Sequence, residues 1–104
     1  MESMEFGKRI NEIFLDLQKD REKNGVAVNL IDKTRTLIPD TKIANALGDK
    51  ARNEIRYNPD FFERILRKKN ENLIRFILLH EEAHLSSGKS RVPVQFFLFF
   101  GAVL

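Results

Sequence analysis

Two histidines and two glutamates occur together in the segment His-Glu-Glu-Ala-His, residues 80–84. On an α-helix, His80 and His84 lie one turn apart and about 40° apart around the axis, so that both imidazoles can reach one metal ion. Glu81 lies at the flank of this face, where its carboxylate can hydrogen-bond a water molecule on the metal without binding the metal. The spacing predicts a zinc site with His80 and His84 as ligands. Glu81 is the predicted general base, which takes the proton of this water as it attacks a carbonyl.

The composition of the chain supports this interpretation and restricts any further metal ligands to nitrogen and oxygen atoms. Both histidines of the chain lie in the motif, and in a chain of this length the pattern arises by chance on the order of a few times in a thousand sequences. The chain has no cysteine, which excludes disulfides, thiolate metal sites and cysteine nucleophiles. The alternative is a helix that carries histidine and glutamate without a metal.

The residues around the motif are typical of a buried helix. Apolar side chains occupy almost its whole circumference, and a metal would partner the imidazoles inside it. Arg75 and Glu82 are the exceptions, and they lie within about 20° of each other on the side opposite the histidines. We interpret them as one polar stripe outside the chemistry. The apolar residues are Leu73, Ile74, Phe76, Ile77, Leu78, Leu79, Ala83 and Leu85.

The elements that position this helix form a single α+β domain over residues 1–104. The first helix is amphipathic, with its apolar face at Phe6, Ile10, Ile13, Phe14 and Leu17. This helix is predicted to be about 18–20 residues long and to end at Asn24-Gly25. Three strands are predicted to follow, at Gly25–Ile31, Lys42–Leu47 and Asn53–Tyr57, and the last two are joined across Gly48–Ala51. A second helix then begins at Asn58 and Pro59 and ends near Lys69, and the motif helix runs from about Glu71 to Ser87.

The charge of the chain does not indicate a nucleic-acid partner. The net charge is +3, with charged residues at 32% and apolar residues at 42%, as in a soluble globular protein. The most basic stretch, Arg64–Lys69, lies opposite an apolar stripe and is interpreted as a solvated helix face. The N-terminus does not resemble a signal peptide, and we predict a cytoplasmic protein.

The C-terminal residues form an apolar run that we expect to be buried against other protein surface. Every residue from Phe96 to Leu104 is apolar or glycine, and this run is shorter than the roughly 20 residues that span a bilayer. We expect the segment 93–104 to pack over its own cleft or onto a second copy, giving a homodimer whose substrate cleft is blocked. The alternative is a longer hydrophobic element, with membrane association only if the chain continues past Leu104.

The motif with its apolar lead-in resembles the zincin metallopeptidases. Among these the chain is similar to the gluzincins, and specifically to the minigluzincins, small soluble peptidases that resemble the catalytic cores of membrane-integrated CAAX-type and HtpX-like proteases. Upstream, Asn45-Ala46 and the stretch Glu54–Pro59 are similar to the Asn-Ala strand and following hairpin of that group. The resemblance implies a minimal zincin scaffold, one Zn²⁺ and a peptide or unfolded protein substrate. It also implies that Asn45 and Ala46 form a strand edge whose backbone pairs with extended substrate.

The sequence departs from the gluzincins after the motif. Glu82 is charged where an uncharged residue is usual, and no Glu, Asp or His follows His84, although gluzincins take their third zinc ligand from a later glutamate. That ligand could lie on a helix missing from this chain, on another molecule, or on an upstream acid such as Glu54 or Asp60. The oxyanion donor of the same later helix is also missing, and Tyr57, the only tyrosine, is a candidate for it.

The sequence therefore predicts a zinc metalloendopeptidase that is incomplete or zymogen-like in this form. Two alternatives remain. The chain could be a fragment of a membrane-embedded zinc protease, or a basic binding module whose catalytic site has decayed.

Overall fold

The computed structural model describes the backbone of residues 3–23 and 31–86, and the side chains of residues 4–19 and 31–86. Within these ranges the protein is α+β, with three helices and one three-stranded mixed sheet, which confirms the predicted class. The elements are α1 (Ser3–Lys23), β1 (Thr36–Pro39), β2 (Ala46–Asp49), β3 (Glu54–Tyr57), α2 (Pro59–Arg67) and α3 (Glu71–Ser86). The predicted C-terminal segment, 93–104, lies outside the described residues. In the part of the chain that is described, no helix combines the length and apolar character needed to cross a bilayer.

The helix α1 is amphipathic, as its sequence period predicts. Its apolar face enters the core, where it meets the inner face of the sheet and the other two helices. This burial stabilises a helix whose remaining surface is charged. The buried residues of this face are Phe6, Ile10, Ile13, Phe14 and Leu17.

The sheet has the strand order β1-β3-β2, so that β2 is an edge strand. β1 pairs with β3 in parallel and β2 pairs with β3 in antiparallel orientation. The sequence did not predict β1, because Pro39-Asp40 at its end indicates a turn. The strand predicted at Gly25–Ile31 falls mostly outside the described residues, and Ile31 itself is buried but is not in a strand.

The β2–β3 connection lies two residues later than the sequence predicts. Gly48 was assigned to the turn, but it belongs to β2, and the turn covers residues 50–53. Asn53 takes the left-handed conformation, with φ of 57°, which asparagine tolerates better than most residues. Glycine is needed at position 48 for another reason, because a Cβ there would lie 2.9 Å from Cγ of Leu85 in α3. This close approach brings the edge strand onto the motif helix.

Asn58 joins the start of α2 to the start of β2. Its side-chain oxygen accepts a hydrogen bond from the Phe61 amide at 3.1 Å, which confirms the predicted N-cap, and Pro59 is the first helical residue. The Asn58 side chain also donates to the carbonyl of Ile43, and its backbone amide donates to the carbonyl of Asn45, both at 2.8 Å. One asparagine therefore fixes both elements.

The basic stretch at the end of α2 is a helix face in contact with solvent, as predicted. Arg64 and Arg67 are exposed, whereas Phe62 and Ile65 on the other side of the helix are buried. The Arg67 guanidinium lies 4.9 Å from the centre of the Phe6 ring, a cation–π contact with α1. The exposure of Arg64 and the contact of Arg67 agree with the predicted solvated helix face.

The close packing of β2 on α3 predicts the effect of a Gly48→Ala substitution. The added methyl group overlaps the Leu85 side chain, and overpacking of this kind costs about 1–3 kcal/mol. In a Leu85→Ala background the same substitution should cost nothing measurable, since the blocking atoms are gone. Gly7→Ala is the matched control, because no described atom outside the neighbouring backbone of its own helix lies within 4 Å of a Cβ at that position, and it should stabilise by about 0.5–1 kcal/mol. Urea unfolding of the four variants tests this packing, and an equal cost of Gly48→Ala in both backgrounds would disprove it.

Candidate metal and catalytic site

His80 and His84 face each other on one side of α3. Their Nε2 atoms are 3.3 Å apart, and the ring centroids are 4.8 Å apart with the planes at 82°. His80 is 9% exposed and His84 is half-buried. The predicted helix therefore brings together the two imidazoles that the sequence assigned as ligands.

The distance between the two Nε2 atoms fits a shared metal ion. Zinc binds imidazole nitrogen at about 2.0–2.1 Å with tetrahedral angles, which places two such nitrogens about 3.3–3.4 Å apart. The observed separation of 3.3 Å agrees with this spacing. A hydrogen bond between two neutral imidazoles gives a similar distance, and zinc titration separates the two cases.

The environment of His80 favours its neutral form. Burial lowers the pKa of His80 below its ordinary value, and the neighbouring His84 lowers it further. The ring of Phe76 lies 6.3 Å from the His80 ring and forms part of this apolar surrounding. Neutral imidazole is the form that binds a metal ion.

Glu81 connects α3 to the edge strand. Its Oε1 atom accepts a hydrogen bond from the backbone amide of Gly48 at 3.0 Å. Burial raises the pKa of Glu81, although the charge of His84 and the Gly48 amide act in the opposite direction. The predicted general base is thus held between the histidine-bearing helix and β2.

Of the two residues predicted to form the substrate edge, Ala46 begins β2, whereas Asn45 lies just before the strand. The Asn45 carbonyl accepts from the Asn58 amide of the neighbouring chain segment. Because alternate residues of an antiparallel pair face the partner strand, the polar backbone groups of Ala46 and Gly48 face the open edge of the sheet. The Gly48 amide already donates to Glu81, which leaves the backbone of Ala46 as the outward-facing part of the predicted substrate edge.

The structure does not bring a third predicted ligand to the histidines. Among residues 3–23 and 31–86, no group of three or more His, Cys, Asp or Glu side chains is arranged to hold a metal ion. Glu54 bonds Arg56 on β3, and Asp60 lies exposed in the first turn of α2. Tyr57, the candidate oxyanion donor, is 5% exposed, and its ring stacks on Phe62 at 5.1 Å in the core.

The interpretation of Glu82 as part of a polar stripe with Arg75 was wrong. Glu82 is 1% exposed and forms a buried ion pair with Arg35, at 2.7 Å from Arg35 Nε to Oε1 and 2.8 Å from Nη2 to Oε2. The only signal in the sequence was the charge itself, since an acid among buried apolar residues needs a partner. Nothing in the sequence identified Arg35 as that partner.

Comparison of the chain with models of protein families, with curated proteins and with solved structures finds no match. What the site can do is therefore inferred from its own residues and their geometry.

The bond between Glu81 and the Gly48 amide can be tested by hydrogen exchange. Glu81→Ala removes the acceptor, so exchange of the Gly48 amide should accelerate by about five-fold, the equivalent of about 1 kcal/mol for one hydrogen bond. Glu81→Gln retains an acceptor oxygen and should retain the protection. The Leu47 amide, which faces β3, is the internal control and should exchange at the same rate in every variant. Equal Gly48 protection in the Ala variant and the parent chain would show that the bond does not form in solution.

Proposed function

We propose that the chain is a zinc-dependent metallopeptidase domain of the minigluzincin type, with His80 and His84 as metal ligands and Glu81 as the general base. The observation that carries the proposal is the combination of two imidazoles on one helix face, with Nε2 atoms 3.3 Å apart, and the Glu81 carboxylate that the Gly48 amide holds beside them. The 3.3 Å separation is compatible with two nitrogen ligands on tetrahedral zinc. The only two histidines of the chain supply these atoms. The neighbouring residue, Glu81, supplies a carboxylate at the flank of the same helix face.

The residues of the site divide the chemistry of peptide hydrolysis between them. A zinc ion held by the two imidazoles would polarise a water molecule and the substrate carbonyl. Glu81 accepts the proton of the attacking water and returns it to the leaving amine. The Gly48 amide donates a hydrogen bond to Oε1 of Glu81. This bond restricts the orientation of the carboxylate and therefore also sets the direction of its second oxygen.

The open edge of β2 supports an extended peptide as the substrate. A peptide that pairs with this edge would form backbone hydrogen bonds with Ala46, whose polar groups face outward. Such bonds are independent of side-chain sequence, so the edge suits unfolded protein segments rather than one specific sequence. Since α3 packs directly against β2 through Gly48 and Leu85, a peptide bound here would run past the histidine pair.

The proposed enzyme is incomplete or zymogen-like in this form. Catalytic zinc normally has three protein ligands and a water, and the sequence after His84 contains no Glu, Asp or His. Because Glu54 and Asp60 lie away from the histidines, we expect the third ligand to come from another molecule. The expected cover formed by residues 93–104, over the cleft or across a homodimer, stays a prediction.

A metal-free binding module is the competing function, and zinc titration separates the two. The parent chain should bind one zinc ion per chain at micromolar concentrations, as measured by calorimetry. His84→Ala removes a ligand, so its affinity should fall by more than the roughly 10–100-fold typical of losing an outer partner of a ligand. Arg75→Gln, on the opposite side of α3, is the control and should bind as the parent does. Equal zinc affinity in the parent and His84→Ala would remove the ligand assignment.

Glu81→Gln distinguishes a general base from a metal ligand. The amide keeps the size of the side chain but cannot accept a proton, so the variant should retain the zinc affinity of the parent and hydrolyse no peptide. The parent itself should cleave an unfolded protein substrate only slowly, because its zinc coordination lacks a third ligand on α3 or after it. Loss of zinc together with activity in Glu81→Gln would make Glu81 a ligand instead. Rapid cleavage by the parent would show that an upstream acid completes the site.

A further inference from the structure

A buried polar cluster lies on the side of α3 that faces away from the histidines. Arg35, in the loop before β1, is 9% exposed, and its guanidinium forms two parallel hydrogen bonds with the carboxylate of Glu82. The Ser86 hydroxyl bonds the same carboxylate and accepts from Arg35 at 3.2 Å. Each carboxylate oxygen of Glu82 therefore has a partner, as a buried charge requires.

The arginine of this cluster is itself fixed by two other elements. Gln18 in α1 donates from its side-chain nitrogen to the carbonyls of Asp32 and Arg35, each at 3.0 Å, which holds the loop backbone. The Arg35 guanidinium also donates to the side-chain oxygen of Asn53, in the turn that joins β2 to β3. The guanidinium thus bonds both α3 and the turn that ends the edge strand.

The position of Glu82 on the helix relates this cluster to the candidate metal site. Glu82 lies between His80 and His84 in sequence and about 180° from their midpoint around the helix axis. The two parallel hydrogen bonds define the direction of the carboxylate more strictly than a single contact would. Rotation of α3 that moved the imidazoles would therefore have to break the bonds of Glu82.

We propose that Arg35 and Glu82 are positioning residues for the metal site: their ion pair sets the rotation of α3, and through Asn53 the place of β2, so that the histidines and Glu81 are arranged for a metal before one binds. This inference rests on the proposed function. It assigns to the pair a role beyond stability, because a pair that only stabilised the fold would leave the metal affinity of the folded protein unchanged.

Cobalt binding tests the proposal, because Co²⁺ substitutes for Zn²⁺ and its visible absorption reports ligand geometry. The full chain is titrated with Co²⁺ alone, and the dissociation constant is measured under conditions where circular dichroism shows the protein to be folded. Glu82→Gln removes the charge but keeps the shape, and it should weaken Co²⁺ binding by about 10–100-fold, the usual effect of losing an outer partner of a metal site. The absorption bands of the bound ion should also change.

A second arginine–glutamate pair on the same helix provides the matched control. Glu71, in the first turn of α3, accepts two hydrogen bonds from Arg9, at 2.8 and 2.6 Å. Glu71→Gln breaks this pair in the same way, but it lies more than two helical turns from the histidines, and it should leave both the Co²⁺ affinity and the spectrum as in the parent.

Arg35→Lys decides the question if Glu82→Gln does not fold. Lysine keeps the positive charge but cannot form the paired bonds of the guanidinium, and we expect Co²⁺ binding to weaken by about three-fold or more with a changed spectrum. Binding and spectrum equal to the parent in the folded variants would overturn the inference while leaving the proposed function intact. Failure of the parent chain to bind Co²⁺ would overturn the proposed function and the inference together.

Discussion

The buried ion pair between Arg35 and Glu82 is the interaction on which the arrangement of this protein depends. Removing two charges from water is costly, and the attraction between them offsets this cost only when the geometry is good and the other polar atoms are bonded. Here both carboxylate oxygens accept hydrogen bonds from the guanidinium, which also donates to Asn53 and Ser86. Loss of one partner would leave an uncompensated buried charge, which typically costs about 3–5 kcal/mol. The pair therefore favours one placement of α3 over the others that an apolar helix could take.

The candidate site occupies the opposite side of the same helix, where α3 meets the edge of the sheet. The contact between Gly48 and Leu85 brings β2 close to the helix, and the bond from the Gly48 amide holds Glu81. The carboxylate that would act on water is thus supported by backbone, while the two imidazoles have a metal-compatible spacing. A small domain can arrange such a site because one helix carries both proposed ligands and the proposed base, and one strand supplies the proposed substrate edge.

The sequence predicts those features whose signals are local, and it does not predict the contacts between distant segments. The apolar residues of α1 recur about once per helical turn, the cap formed by Asn58 lies within one turn and the motif within two, so each could be identified from its spacing. The partner of Glu82 lies 47 positions away, and any of the 18 Lys and Arg residues could have filled that role. The requirement for Gly48 has the same origin, because it depends on Leu85, and a glycine in isolation indicates a turn instead. β1 was not predicted because its last residue, Pro39, and the following Asp40 indicate a turn.

Nitrogen NMR of the histidine rings tests the central claim, that one metal ion binds the Nε2 atoms of His80 and His84. The chain contains two histidines, so the ring signals can be assigned by a single substitution. On addition of one equivalent of Zn²⁺, we predict that the Nε2 signals of both rings shift together and that both rings adopt the tautomer with the proton on Nδ1. A spectrum in which only one ring responds, in which the metal binds through Nδ1, or in which neither ring changes would contradict the assignment of this pair as a metal site.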